Sequence, residues 1–171
     1  CYTKANADVI ASDEYADFLI SQGVLFAWYF TFVPVGCGST PELMATAEQR
    51  EKMYNQIRKW RFKEVKPMFT IDFFNDGEYV GGCVAGGKQY FHISANGDCE
   101  PCVFAHYSNV NIKDEDKHVL DALKSPIFMA YKARQPFSDN MLRACPVMDN
   151  PGAIKKIVEE SGAKSTDLQN P

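Results

Sequence analysis

Two hydrophobic rhythms alternate along the first half of the chain. In "ASDEYADFLISQG", residues 11–23, Tyr15, Phe18 and Leu19 recur on one helical face. Ser12 stands as the expected N-cap, Asp13 and Glu14 fill the first turn, and Gly23 marks the stop. "VLFAWYFTFVPV", residues 24–35, is a nearly continuous apolar and aromatic run, the pattern of a strand buried on both faces in a parallel sheet. Gly36, Gly38 and Pro41 break it into a loop that carries Cys37. "TAEQREKMYNQIRKWRF", residues 46–62, returns to helical spacing through Met53, Tyr54, Ile57 and Trp60, with Thr46 and Gln49 placed for a capping box. "PMFTIDFF", residues 67–74, reads as a second buried strand. Helix and strand in this alternation predict α/β units on a parallel sheet.

The second half loses that rhythm. "KQYFHIS" alternates, "ANGD" is a turn and "CEPCVF" returns, so residues 88–104 are expected to form an antiparallel hairpin turning at Asn96-Gly97. A short helix is expected within "KDEDKHVLDALKS". Another follows in "SPIFMAYKARQP", with Ser125 as cap and Pro126 in the first turn, and a last one in "NPGAIKKIVEESG", with Asn150 as cap and Gly162 at the stop. The polar tail "AKSTDLQNP" is expected to fray.

Composition narrows the class. The chain has 171 residues, 46% of them hydrophobic and 13% aromatic, enough for a sizeable core. A net charge of −4 gives no basic footprint for nucleic acid, and no apolar run is long enough to span a bilayer, so neither nucleic acid nor membrane is an expected partner. The chain opens on Cys1 with no secretory signal pattern, which is expected of a fragment or processed product from a reducing, cytoplasmic setting.

Six cysteines, at 1, 37, 83, 99, 102 and 145, are about twice an ordinary load. In a reducing compartment clustered thiols point to metal ligation or redox chemistry, because soft sulfur suits zinc and iron–sulfur clusters alike. Cys83 precedes the expected hairpin and Cys102 lies on its return, so the hairpin would bring both thiols to one ion. Cys145 is placed to fold back as a third ligand. Cys99 forms Cys-x2-Cys with Cys102, and His106 forms Cys-x3-His; each also reads as an ordinary buried or half-buried side chain. His92, alternating with Phe91 and Ile93, is explained by one strand face, and His118 sits among charged residues. Asp72, Asp76 and Glu78 stand at the end of a strand, where α/β proteins place chemistry, but Asn75-Asp76-Gly77 is equally a turn. Trp28 and Tyr29 read as core, or as the lining of a cofactor pocket.

Cys83, Gly97 and Cys102, with thirteen and four residues between them, and then Cys145, resemble the opening of the SPASM or twitch auxiliary-cluster domain of radical S-adenosylmethionine enzymes. The text "FTIDFFNDGEYVGGCVAGGKQYFHISANGDCEPCVFAHYSNVNI", followed by "ALKSPIFMAYKARQPFSDNMLRACPV", is similar to the C-terminal portion of bacterial radical S-adenosylmethionine proteins described as Fe–S oxidoreductases. The resemblance implies an α/β fold, with residues 1–80 as the end of a partial (β/α)6 barrel and residues 81–171 as a small α+β twitch-like domain with a β-hairpin. It implies Cys83, Cys102 and Cys145 as ligands of one auxiliary 4Fe–4S cluster, with Cys99, His106, water or a substrate atom at the fourth position. The intact protein would cleave S-adenosylmethionine at a second 4Fe–4S cluster and abstract hydrogen from a small-molecule or peptide substrate. The Cys-x3-Cys-x2-Cys loop that holds that catalytic cluster is not in this sequence, and the resemblance places it N-terminal to Cys1. The second expectation is a zinc-stabilised binding module, in which the same thiols hold a structural tetrahedral ion and no catalysis occurs.

Overall fold

The computed structural model describes every residue except Cys37, Ser39, Lys63, Glu64 and residues 168–171, so the loop reading of Cys37 lies outside the described residues. The chain is mixed α/β and divides into two compact units, Cys1–Asp76 and Gly77–Pro171; the expected boundary after residue 80 falls a few residues into the second. Among the described residues the strands form three two-stranded sheets and no barrel.

In the first unit, helix α1 (Ala7–Ile10) precedes α2 (Asp13–Ser21). Ser12 accepts the Tyr15 N–H at 3.1 Å, as its position before the helix predicts. Strands β1 (Phe26–Tyr29) and β2 (Phe69–Asp72) pair in parallel, Phe26 opposite Phe69 and Tyr29 opposite Asp72. They are joined through α3 (Ala47–Arg61), whose capping box is complete: Gln49 N–H to Thr46 Oγ1 at 3.3 Å and Thr46 N–H to Gln49 Oε1 at 3.1 Å. Parallel neighbours need such a crossover, because no tight turn can reverse the chain twice. Met53, Ile57 and Trp60 of α3 are fully buried with Tyr2, Ala16, Tyr29 and Met68.

Two expectations fail here. The strand at residues 24–35 is not buried on both faces: β1 is shorter, and Phe26, Trp28 and, on β2, Phe69 are about half exposed. The core with α3 takes one face, and the aromatics of the other pair with one another, Phe26 on Phe69 at 6.1 Å and Trp28 on Phe73 at 5.6 Å. Tyr29 is therefore core and Trp28 is not. On α2 the buried residue is Ala16, with Leu19 and Ile20 against the core, while Phe18 is exposed. The helix is rotated from the face that the larger aromatics suggest.

The second unit opens with α4 (Gly77–Val80), a single helical turn. The hairpin forms at the expected place but is smaller. Strands β3 (His92–Ile93) and β4 (Cys99–Glu100) pair antiparallel. The turn closes through Gly97 N–H to Ser94 O and Ser94 N–H to Asp98 O, both 2.9 Å, with Gly97 at φ +92°. Asn96-Gly97 thus supplies the left-handed residue the turn requires. Cys102 lies beyond the ladder, in an isolated bridge with Ala105, rather than on the return strand.

Helices α5 (Val119–Lys124), α6 (Pro126–Ala133) and α7 (Pro151–Ser161) follow. α6 and α7 begin after Ser125 and Asn150, but neither side chain caps its helix. Ser125 Oγ donates back to Ala122 O at 2.7 Å, and Asn109 Oδ1 accepts the Ile127 N–H at 2.9 Å in its place. Asn150 Nδ2 turns to the carbonyls of Arg143 and Cys145. The tail does not fray throughout: β6 (Lys164–Ser165) pairs with β5 (Tyr107–Ser108), and Thr166 N–H reaches His106 O at 3.0 Å. No helix among the described residues is long and apolar enough to cross a membrane.

Candidate thiol centre

Cys83, Cys102 and Cys145 all belong to the second unit. The Met148 N–H donates to Cys145 Sγ at 3.3 Å, and the backbone at Ala85, Phe104 and Val147 pulls the Cys83, Cys102 and Cys145 thiols down against their burial. The loop carrying Cys83 is fastened to the segment carrying Cys102 by Gly86 N–H to Pro101 O at 2.9 Å. The turn after Cys145 is closed by the Asp149 and Asn150 N–H groups on the Cys145 carbonyl, at 3.1 and 3.0 Å.

The three sulfurs share one electrostatic neighbourhood. Burial pushes Cys102 up to about 11 and Cys145 up to about 12, and the charge of Cys83 raises both further. Cys102 also acts on Cys145. Burial likewise raises Cys83, against the pull of Tyr131 and the Ala85 amide. Two tyrosines meet the group: Tyr131 Oη lies 3.3 Å from Cys83 Sγ, and Tyr90 Oη lies 2.8 Å from Cys102 Sγ. Burial first, and then the charges of Cys83, Cys102 and Cys145, holds the Tyr131 phenol well above its ordinary value.

Two glycines of "GGCVAGG" admit neighbouring side chains to the backbone. A Cβ on Gly86 would lie 2.2 Å from Tyr131 Cδ1, and one on Gly87 would lie 2.5 Å from Leu123 Cδ2. Bare backbone at these positions lets α5 and α6 close onto the Cys83 loop.

The two expected fourth ligands, Cys99 and His106, both have Glu100 as a neighbour. Cys99 is buried on β4 opposite Ile93, and the charges that raise it are Asp98 and Glu100, not the other thiols. His106 Nδ1 lies 3.6 Å from Glu100 Oε1. Glu100, 1% exposed, also receives His92 Nδ1 at 2.8 Å and Thr166 Oγ1 at 2.5 Å. His92 is thus a cross-strand partner for a buried carboxylate rather than a bystander on one face. This Glu100 cluster, and both tyrosines, were missed in the sequence. A tyrosine at a buried helical position, Tyr131 four residues after Ile127, was the available signal, since a buried phenol requires a partner.

In the first unit Asp72 and Asp76 form a turn and not an open carboxylate pair. Asp72 accepts the Asn75 N–H and side-chain amide at 3.2 and 2.8 Å; Asp76 takes Arg61 Nη2 on both oxygens and the Asp72 N–H at 2.9 Å. Asp72 is fully buried, and burial raises its carboxyl. Glu78 belongs to the other unit.

Among the described residues no group of three or more His, Cys, Asp and Glu side chains is set to hold a metal ion as it stands. What fits a thiophilic metal or cluster is the donor chemistry: the half-buried Cys83 and the buried Cys102 and Cys145, with the charge of Cys83 acting on the other two. Comparison with protein-family models, with curated proteins and with solved structures finds no match.

Proposed function

We propose that this chain is the C-terminal portion of a radical S-adenosylmethionine oxidoreductase, and that its second unit is a twitch-like domain whose Cys83, Cys102 and Cys145 hold an auxiliary 4Fe–4S cluster. The observation that carries this reading is that all three thiols meet donors in one neighbourhood: the Tyr131 and Tyr90 hydroxyls stand at Cys83 and Cys102, the Met148 N–H meets Cys145 at 3.3 Å, and the charge of Cys83 acts on the other two. A buried thiol that stays a thiol gains little from an amide aimed at its sulfur. A thiolate ligand gains a charge-assisted hydrogen bond that offsets its burial. The first unit supports the barrel part of the reading: β1 and β2 are parallel, joined through a helix, and aromatic on the face that the core with α3 leaves uncovered.

When bound, the cluster would supply an electron-transfer or substrate-binding iron. The chain's own residues would supply the sulfurs and their donors, and would exclude water from them. The charges acting on Cys99 are those of Asp98 and Glu100, and His106 Nδ1 lies 3.6 Å from Glu100, which favours water or an atom of a small-molecule or peptide substrate at the fourth position. The setting would be reducing and cytoplasmic, with neither nucleic acid nor membrane as partner.

Anaerobic reconstitution with iron and sulfide, followed by metal analysis and visible absorption, tests the proposal. Iron and sulfide in cluster stoichiometry, with the broad visible absorption of an iron–sulfur chromophore, is the expected result. Stoichiometric zinc with no iron uptake would select the structural zinc module instead. The 171-residue chain is expected to form no 5′-deoxyadenosine from S-adenosylmethionine, because no Cys-x3-Cys-x2-Cys loop occurs in it.

A further inference from the structure

The two phenols at the thiols are fixed by their surroundings. Tyr131 is fully buried on α6, its ring pressed to the backbone of Gly86 and met edge-on by Phe137 at 4.9 Å. A ring so confined can deliver its hydroxyl to few places, and the partner it has is Cys83 Sγ. Tyr90 stands just before β3, and its hydroxyl meets Cys102 Sγ at the closer 2.8 Å. Cys145 is served by backbone amides instead. Between a phenol and a thiol the direction of the bond depends on which group loses its proton. A thiol is ordinarily the stronger acid by about 1.5 pH units, and a metal takes the sulfur and not the phenol. Once the sulfur is a ligand, the hydroxyl is the donor and the thiolate the acceptor.

We propose that Tyr90 and Tyr131 are the positioning residues of the thiol centre, donating O–H···S hydrogen bonds to the Cys102 and Cys83 thiolates. These bonds hold the two sulfurs for the metal and draw off part of their negative charge. The inference rests on the reading of the three thiols as a metal centre. It makes the centre asymmetric: two sulfurs are softened by hydroxyls, and Cys145, bound only through amides, is left the stronger electron donor to whatever the centre holds.

The test is an anaerobic cobalt(II) titration of the 171-residue protein, comparing wild type with Tyr90→Phe, Tyr131→Phe and, as control, Tyr107→Phe on β5. Phenylalanine keeps each ring and removes only the hydroxyl. Cobalt bound to thiolate shows a sulfur-to-metal charge-transfer band. A sulfur deprived of its hydrogen bond gives up an electron more easily, so the band is expected to move to longer wavelength in Tyr90→Phe and Tyr131→Phe. The same variants should yield cobalt to a chelator about ten- to a hundredfold more readily, with Tyr107→Phe matching wild type. Unchanged band and unchanged release in both variants would overturn the tyrosine assignment while leaving the metal centre standing. A fall in folding stability with no movement of the band would also overturn it, since that is what a packing role alone produces. A wild-type protein that takes up no cobalt through sulfur would overturn the metal centre itself, and the tyrosine assignment with it.

Discussion

Tyr29 shows how much one atom decides. Its side chain is core, 6% exposed, yet its hydroxyl is buried with no hydrogen-bond partner. Removing an unpaired buried hydroxyl relieves its desolvation, so Tyr29→Phe is expected to leave stability unchanged or to raise it by about 1 kcal/mol, as read by urea unfolding. The same burial pushes Tyr2 and Tyr29 from 10.0 up to about 12. In the unfolded chain both phenols ionise near their ordinary value. The stability tied to their protonated forms is therefore complete below about pH 10 and is lost as the pH rises from there through about 12. Unfolding midpoints measured across that interval should fall, and Tyr29→Phe should fall less steeply; a flat profile would refute the burial argument. Gly86 is the opposite kind of residue. At φ +72°, with Tyr131 where a Cβ would go, Gly86→Ala is expected to cost about 1–3 kcal/mol from overpacking, and more if the backbone resists, in the same unfolding assay.

At the scale of elements, caps separate what the sequence discloses from what it conceals. Ser12 and Thr46 act on amides three residues ahead, so the local text carries the whole interaction, and Ser12→Ala or Thr46→Ala is expected to cost about 1 kcal/mol. Ser125 precedes Pro126 in a text just as suggestive, but Asn109, from a distant loop, serves the start of α6. Asn109→Ala is therefore expected to destabilise by about as much as losing a local cap, and by more than Ser125→Ala. Equal losses would show that the helix start is held locally after all. The C-terminal tail was illegible for the same reason. Nothing in "AKSTDLQNP" advertises that Lys164–Ser165 will pair with Tyr107–Ser108, or that Thr166 will complete a buried carboxylate. Thr166→Val keeps the shape and strips Glu100 of that hydroxyl, for an expected loss of about 1–3 kcal/mol.

For the whole chain, the alternation of helix and strand, the parallel pairing and the hairpin turn were all legible, because periodicity and turn chemistry are local. Exposure was not: an apolar run shows that a strand has aromatic residues, not how many of its faces are covered, and Phe26, Trp28 and Phe69 remain half exposed. The hydroxyls at the proposed thiol centre were not legible, since Tyr131 reaches Cys83 from 48 residues away. The central claim is that Cys83, Cys102 and Cys145 form one metal centre from which Cys99 is excluded. Iron, sulfide and zinc quantified after anaerobic reconstitution of wild type and of Cys83→Ser, Cys99→Ser, Cys102→Ser and Cys145→Ser test it most directly. The account predicts a filled centre in wild type and Cys99→Ser and its loss in the other three. Metal retained in all five proteins, or lost from Cys99→Ser alone, would contradict it.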